Sequence, residues 1–140
     1  MLKIKRSPCP SCPYRCDVPS GVWDVSEYKK LPLYDQETSQ QPVGVFLCHW
    51  SFEGRDCLCR GWLDTHVRHN PAGHELLSLR LGLSMGAVDQ EQLKSVIVDS
   101  PSVPVFSSGR QACDHGMLGV SQPSAEALDV IRKVVRAKSR

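Results

Sequence analysis

Apolar positions recur at helical spacing along the second half of the chain and irregularly along the first. Leu76, Leu77, Leu79, Leu81 and Leu83 give a wide apolar face, and Asn70-Pro71 ahead of them offers a cap and a first-turn proline. This pattern predicts a helix from Asn70 to Gly86 that is buried over much of its surface. Asp89 is placed to cap a second helix over Gln90–Val98, with Leu93, Val96 and Ile97 inward, ended by Pro101 and Pro104. Pro123-Ser124 opens a third over 125–137, where Leu128, Ile131, Val134 and Val135 share the helical period.

The first third reads differently. Pro8, Pro10, Pro13, Pro19, Pro32 and Pro42 leave room only for short elements, since each removes a backbone donor and biases its predecessor away from helix. One short helix is expected at Val25–Lys30, with Asp24 as cap and Glu27 completing a capping-box pattern. Residues 40–50, with Val43, Val45, Phe46 and Leu47, are expected to run extended into Cys48. The fold class that follows is a mainly α, small, metal-stabilised single domain over 1–140. In it a loop-rich, metal-binding half (1–66), a four-cysteine knuckle, packs on about three C-terminal helices in the helical half (67–140).

Composition supports a folded chain: 41% hydrophobic and 23% charged residues exclude a disordered tail or a fibrous repeat. No apolar run nears the roughly 18 residues of a membrane helix, and Pro8-Cys9-Pro10 interrupts the basic start before a signal core forms, so a cytoplasmic location is expected. The net charge of +2 is unevenly spread. Residues 1–16 carry Lys3, Lys5, Arg6 and Arg15 without an acid, and residues 124–140 are also basic, leaving an acidic middle. Basic ends could contact nucleic acid, but solvated termini, and cations at a helix C-terminus, are the stronger explanation.

Cysteine changes the picture most. Six of the seven, Cys9, Cys12, Cys16, Cys48, Cys57 and Cys59, lie in the first 59 residues, and only Cys113 lies beyond. An odd number of thiols in a reducing compartment argues for a metal rather than disulfides. Cys9-Pro10-Ser11-Cys12 is a C-x-x-C knuckle whose two thiolates can face one ion while its turn leaves N–H groups for the sulfurs. The second group is Cys48-His49 followed by Cys57-Leu58-Cys59. The 35 residues between Cys12 and Cys48 add only ~0.7 kcal/mol of closure entropy over a compact ribbon, small against the ~10–16 kcal/mol of a structural zinc site. From spacing, Cys9 and Cys12 come first and Cys48 next, and one of Cys57 and Cys59 closes the set. Cys16 remains open as a cluster ligand, and His49, His66, His69 and His74 are substitutes better explained by ordinary roles. Zinc is the leading metal and a 4Fe-4S cluster the alternative, with Tyr14, Phe46, Trp50 and Trp62 able to wall either from solvent.

Other chemistry is weaker. Cys113-Asp114-His115 places a thiol, a carboxylate and an imidazole in sequence, but adjacent residues seldom point into one site, and the chain is not expected to be an enzyme. Ser107-Ser108-Gly109-Arg110 could turn around an anion, but with no phosphate-loop motif beside it a plain loop is expected.

The strings Pro8-Cys9-Pro10-Ser11-Cys12-Pro13-Tyr14-Arg15, Phe46-Leu47-Cys48-His49 and Cys59-Arg60-Gly61-Trp62 resemble an uncharacterised family of short cysteine-rich proteins from actinobacteria and their phages. The resemblance implies a ligand set at Cys9, Cys12, Cys48 and Cys59, with the position of Cys16 usually basic and that of Cys57 variable. It carries no established activity. These readings lead to a metal-binding interaction or regulatory module with a protein partner and no membrane, and the resemblance alone adds the role of a phage accessory protein acting on a host protein. The alternatives are an iron–sulfur redox or sensing protein and a zinc-dependent nucleic-acid binder.

Overall fold

A computed structural model describes residues 1–49, 56–70, 73–98 and 103–139. Trp50, Pro71 and Pro101, which figure in the expectations above, lie outside the described residues.

The chain is mainly helical. Helices α1 (Val25–Lys30), α2 (Arg60–Leu63), α3 (Leu77–Ser84), α4 (Gln90–Val98), α5 (Gly109–Met117) and α6 (Ala125–Lys138) are joined by 3-10 turns at Leu31–Asp35 and Thr38–Gln40. Among the described residues one two-stranded parallel ribbon pairs β1 (Lys3–Ile4) with β2 (Cys57–Leu58), Lys3 opposite Cys57. The C-terminal half thus holds, among the described residues, four helices where about three are expected.

Several elements form where the sequence places them, for the reasons it suggests. Asp24 caps α1 by accepting the Ser26 amide, although Glu27 turns to His49 and Lys30 instead of closing a capping box. Asp89 accepts the Glu91 amide at 2.9 Å at the start of α4, and the Ser124 hydroxyl accepts the Ala127 amide at 3.1 Å at the start of α6. The expected extended run over 40–50 is met only close to Cys48: Gln40 ends a 3-10 turn, Gln41, Val43 and Gly44 lie in bends, and Leu47 pairs with Leu58 as an isolated bridge, with Cys48 N–H donating to Cys57 O and Cys59 N–H to Phe46 O.

Other expectations are corrected. Asn70 closes a helix instead of opening one. Beyond α2 the chain continues as a π-helical turn over Asp64–His69, and Asn70, at φ 40° in the left-handed region, ends it. Helix α3 begins only at Leu77, whose amide is satisfied by the Gln41 side chain at 3.0 Å. Its burial is narrow: Leu76 and Leu79 are buried while Leu81 is exposed. Ile97 in α4, and Leu128 and Val135 in α6, face outward, and α6 rests through Ala127 and Val134, with Val130 and Ile131 half-buried. The expected loop at 107–110 is the start of α5.

One apolar cluster runs from Ile4, Cys12 and Tyr14 through Leu31, Leu58, Trp62 and Leu63 to Leu76, Val88, Leu93 and Ala112. A buried ion pair fastens its edge. Arg60 Nε donates to Asp64 Oδ1 at 2.8 Å, and its guanidinium also bonds Arg6 O at 2.8 Å and Val96 O at 3.3 Å, tying the N-terminal segment and the end of α4 to α2. Removing one partner of such a pair leaves an uncompensated buried charge, so loss of either side chain destabilises this edge.

Candidate metal centre

The knuckle at Cys9–Cys12 is a tight turn in which Cys12 N–H donates to Cys9 O at 3.0 Å and Arg15 N–H to Cys12 O at 3.0 Å. Arg15 braces it, reaching back to Pro8 O and Cys9 O while its fork holds the Asp17 carboxylate at 2.7 and 2.8 Å. The turn leaves amides over for sulfur: Ser11 N–H donates to the Cys9 thiol and Tyr14 N–H to the Cys12 thiol. Across the fold, Cys59 caps α2 and accepts the Trp62 amide at 3.4 Å. Three of the sulfurs therefore each accept a backbone N–H, an arrangement that favours negative charge on sulfur and orients metal-bound thiolates.

These thiols are neighbours. Cys12 Sγ and Cys59 Sγ are 3.7 Å apart, and Cys9 contacts both Cys12 and Cys48. The order Cys48, Cys9, Cys12, Cys59 is a connected chain of sulfurs drawn from three segments. In a tetrahedral site with sulfurs about 2.3 Å from zinc, neighbouring sulfurs stand about 3.8 Å apart, so the Cys12–Cys59 separation already matches one edge. The chain is not yet a cage: among the described residues, no three His, Cys, Asp or Glu side chains surround one point closely enough to hold an ion. The donor chemistry and one edge fit a four-thiolate ion.

Both knuckle thiols are held up in pKa. The Cys9 thiol is pushed up to about 11, first by its hydrogen bond with the Cys12 thiol and then by burial, with Cys48 pulling the other way. Burial raises the Cys12 thiol well above its ordinary range, and the contact with Cys59 adds to this.

The surroundings are aromatic and close. Tyr14 and Trp62 are fully buried, and Phe46 meets the Tyr14 ring edge-on at 5.7 Å. Gly61 lets α2 lie directly on the knuckle, because a Cβ there would stand 2.5 Å from Cys12 Sγ and 2.8 Å from Tyr14 Cβ. Trp23 braces the other side, its indole N–H donating to Ser11 O at 2.7 Å.

The other candidates are placed differently. Cys16 is exposed, and Cys113 is buried in α5. Cys57 is buried in β2, so Cys59 is the member of the C-x-C that meets Cys12. His49 faces Glu27 at 3.1 Å and stacks on Trp23, and His115 bonds Val18 O at 2.7 Å.

A second polar constellation escapes sequence reasoning. Buried His66 on the π turn has Nε2 2.9 Å from the Tyr14 hydroxyl and Nδ1 3.5 Å from Asp35 Oδ1. Burial pulls its pKa from 6.5 down to about 4, although Asp35 opposes the shift. The ring is therefore neutral near pH 7, with Nε2 accepting from Tyr14 and the proton on Nδ1 toward Asp35. Asp35 in turn accepts the Gly109 and Arg110 amides of α5 at 2.8 and 2.7 Å. The anion around which residues 107–110 turn is the chain's own carboxylate.

The sequence profile of the family of unknown function DUF6283 matches residues 4–136, and the chain belongs to that family. No curated protein and no solved structure matches it significantly. No helix among the described residues is long and apolar enough to cross a membrane.

Proposed function

We propose that this DUF6283 member is a non-catalytic, metal-stabilised interaction module whose Cys9, Cys12, Cys48 and Cys59 hold one zinc ion. The observation that carries the reading is the continuous run of four thiols from distant segments, with Cys12 and Cys59 at 3.7 Å and three sulfurs receiving backbone N–H groups. Four thiolates fill a tetrahedral ion and leave no position for a substrate water, the arrangement of structural rather than catalytic zinc. Such an ion would hold proline-rich segments that bury little apolar surface of their own. For the partner, the groove of about 510 Å³ bordered by Leu33, Pro42, Val45, Phe46 and Leu47 supplies an apolar surface suited to a protein segment.

The test is the metal content of protein purified anaerobically. One equivalent of zinc in colourless protein is expected. Brown protein carrying iron and sulfide would replace this reading with that of an iron–sulfur redox or sensing protein, for which the same four thiolates serve. Protein free of any metal would overturn both.

A further inference from the structure

A cavity of about 340 Å³ opens beside the first turn of α5, lined by Tyr34, Asp35, His66, Asn70, His74, Ser108 and Arg110. Its volume lies in the range of small-molecule sites. Its lining divides into groups already satisfied and groups that are not. Asp35 has both oxygens on α5 amides, so those amides are not left over for a ligand. Both His66 nitrogens are engaged, by Tyr14 and Asp35, and Tyr34 Oη donates to Gly44 O at 2.9 Å, while Ser108 Oγ accepts the Gln111 amide at 3.1 Å and keeps its O–H as a donor. Among the described residues, the side chains of Arg110, His74 and Asn70 have no hydrogen-bond or ion-pair partner.

The unused groups are dominated by donors. Arg110 offers a permanently charged fork with no acceptor, and Asn70 and His74 can each donate an N–H. Asn70 is fixed at this wall by the left-handed backbone that ends the π turn. Asp35 is the opposing charge, but two amides at 2.7–2.8 Å and the N-terminus of α5 offset it. We propose that this cavity binds a small organic oxyanion, a carboxylate or phosphate ester, with Arg110 taking the oxyanion and Asn70 and His74 completing its shell. Asp35 and His66 line the cavity, and the bond from His66 to buried Tyr14 behind it helps hold that wall in shape before the ligand arrives, which lowers the ordering cost of binding.

The proposal is independent of the metal reading. Its test is calorimetric titration of the full chain with two probes of similar body, benzoate and phenyl phosphate, repeated on Arg110→Gln and Arg110→Lys. Saturable binding of either probe, weakened about tenfold or more by Arg110→Gln and partly restored by Arg110→Lys, is expected, because a bidentate charge-assisted pair is lost and a point charge returned. The probe that binds identifies the source of the oxyanion. Binding of neither probe, or binding that Arg110→Gln leaves unchanged, would overturn the proposal. Arg110 is exposed, so the variant should fold, and unchanged circular dichroism and metal content would verify this.

Discussion

Cys12 Sγ and Cys59 Sγ lie 3.7 Å apart across 47 residues of sequence. Each comes from a different local device, the knuckle turn for Cys12 and the first turn of α2 for Cys59, and Gly61 sets how closely the two devices approach. Replacing Cys9, Cys12, Cys48 or Cys59 singly by serine should abolish metal retention and unfold the proline-rich half, read by metal analysis and circular dichroism. Cys16→Ser and Cys113→Ser should leave both unchanged. Retention of metal by Cys59→Ser together with loss in Cys57→Ser would show that the other end of the C-x-C is the ligand.

Gly61→Ala tests the contact between α2 and the knuckle. The added methyl would overlap Cys12 Sγ and Tyr14 Cβ, and the side chains it meets are buried and cannot swing away. The expected loss is about 1–3 kcal/mol in urea unfolding, together with weaker metal affinity, whereas a helix-propensity effect alone would stabilise by up to about 1 kcal/mol. A gain in stability would mean that the helix and knuckle do not touch.

His66 gives stability a defined pH dependence. Its pKa in the folded chain is about 4 against 6.5 for the free side chain. Between those values the unfolded chain takes up a proton that the folded one refuses, so stability falls as pH drops through 6.5 toward 4 and is fully present above 6.5. The amplitude is about 3 kcal/mol. Thiolates that bind metal also respond to acid, so the informative quantity is the difference from His66→Gln, which lacks the titration. Parallel pH profiles for the two proteins would remove His66 as the cause.

Asp35 caps a helix that starts 74 residues later. Asp35→Ala should orphan the Gly109 and Arg110 amides and also remove the partner of His66, costing about 1–2 kcal/mol for the cap alone. Hydrogen exchange should then accelerate in the first turn of α5 while the α6 amides keep their protection. Uniform acceleration through both helices would contradict a local cap.

What the sequence made legible follows from where the signals are local. Helices α1, α4 and α6 announce themselves because Asp24, Asp89 and Ser124 cap the segments that immediately follow them. Helix α5 is silent because its buried face is Gly109, Ala112, Cys113 and Gly116, small residues that give no hydrophobic period. They are small because α5 lies against Leu31 O and the Tyr28 ring, where a Cβ at Gly109 or Gly116 would collide. Asn70 is ambiguous by chemistry, since the same short amide that caps a helix start also tolerates the left-handed residue at a helix end. The neighbouring thiols of the knuckle and the C-x-C are visible in spacing, and Cys59 was singled out by resemblance. The Tyr14, His66 and Asp35 constellation is assembled from three segments with no motif in any of them, so only the fold reveals it.

The most direct test of the four-thiolate account is X-ray absorption at the edge of the metal bound to the purified full-length chain. The account predicts zinc with four sulfur neighbours at about 2.3 Å and no nitrogen or oxygen in the coordination sphere. A sphere containing nitrogen or oxygen, or fewer than four sulfurs, would contradict the assignment of Cys9, Cys12, Cys48 and Cys59 as a closed set.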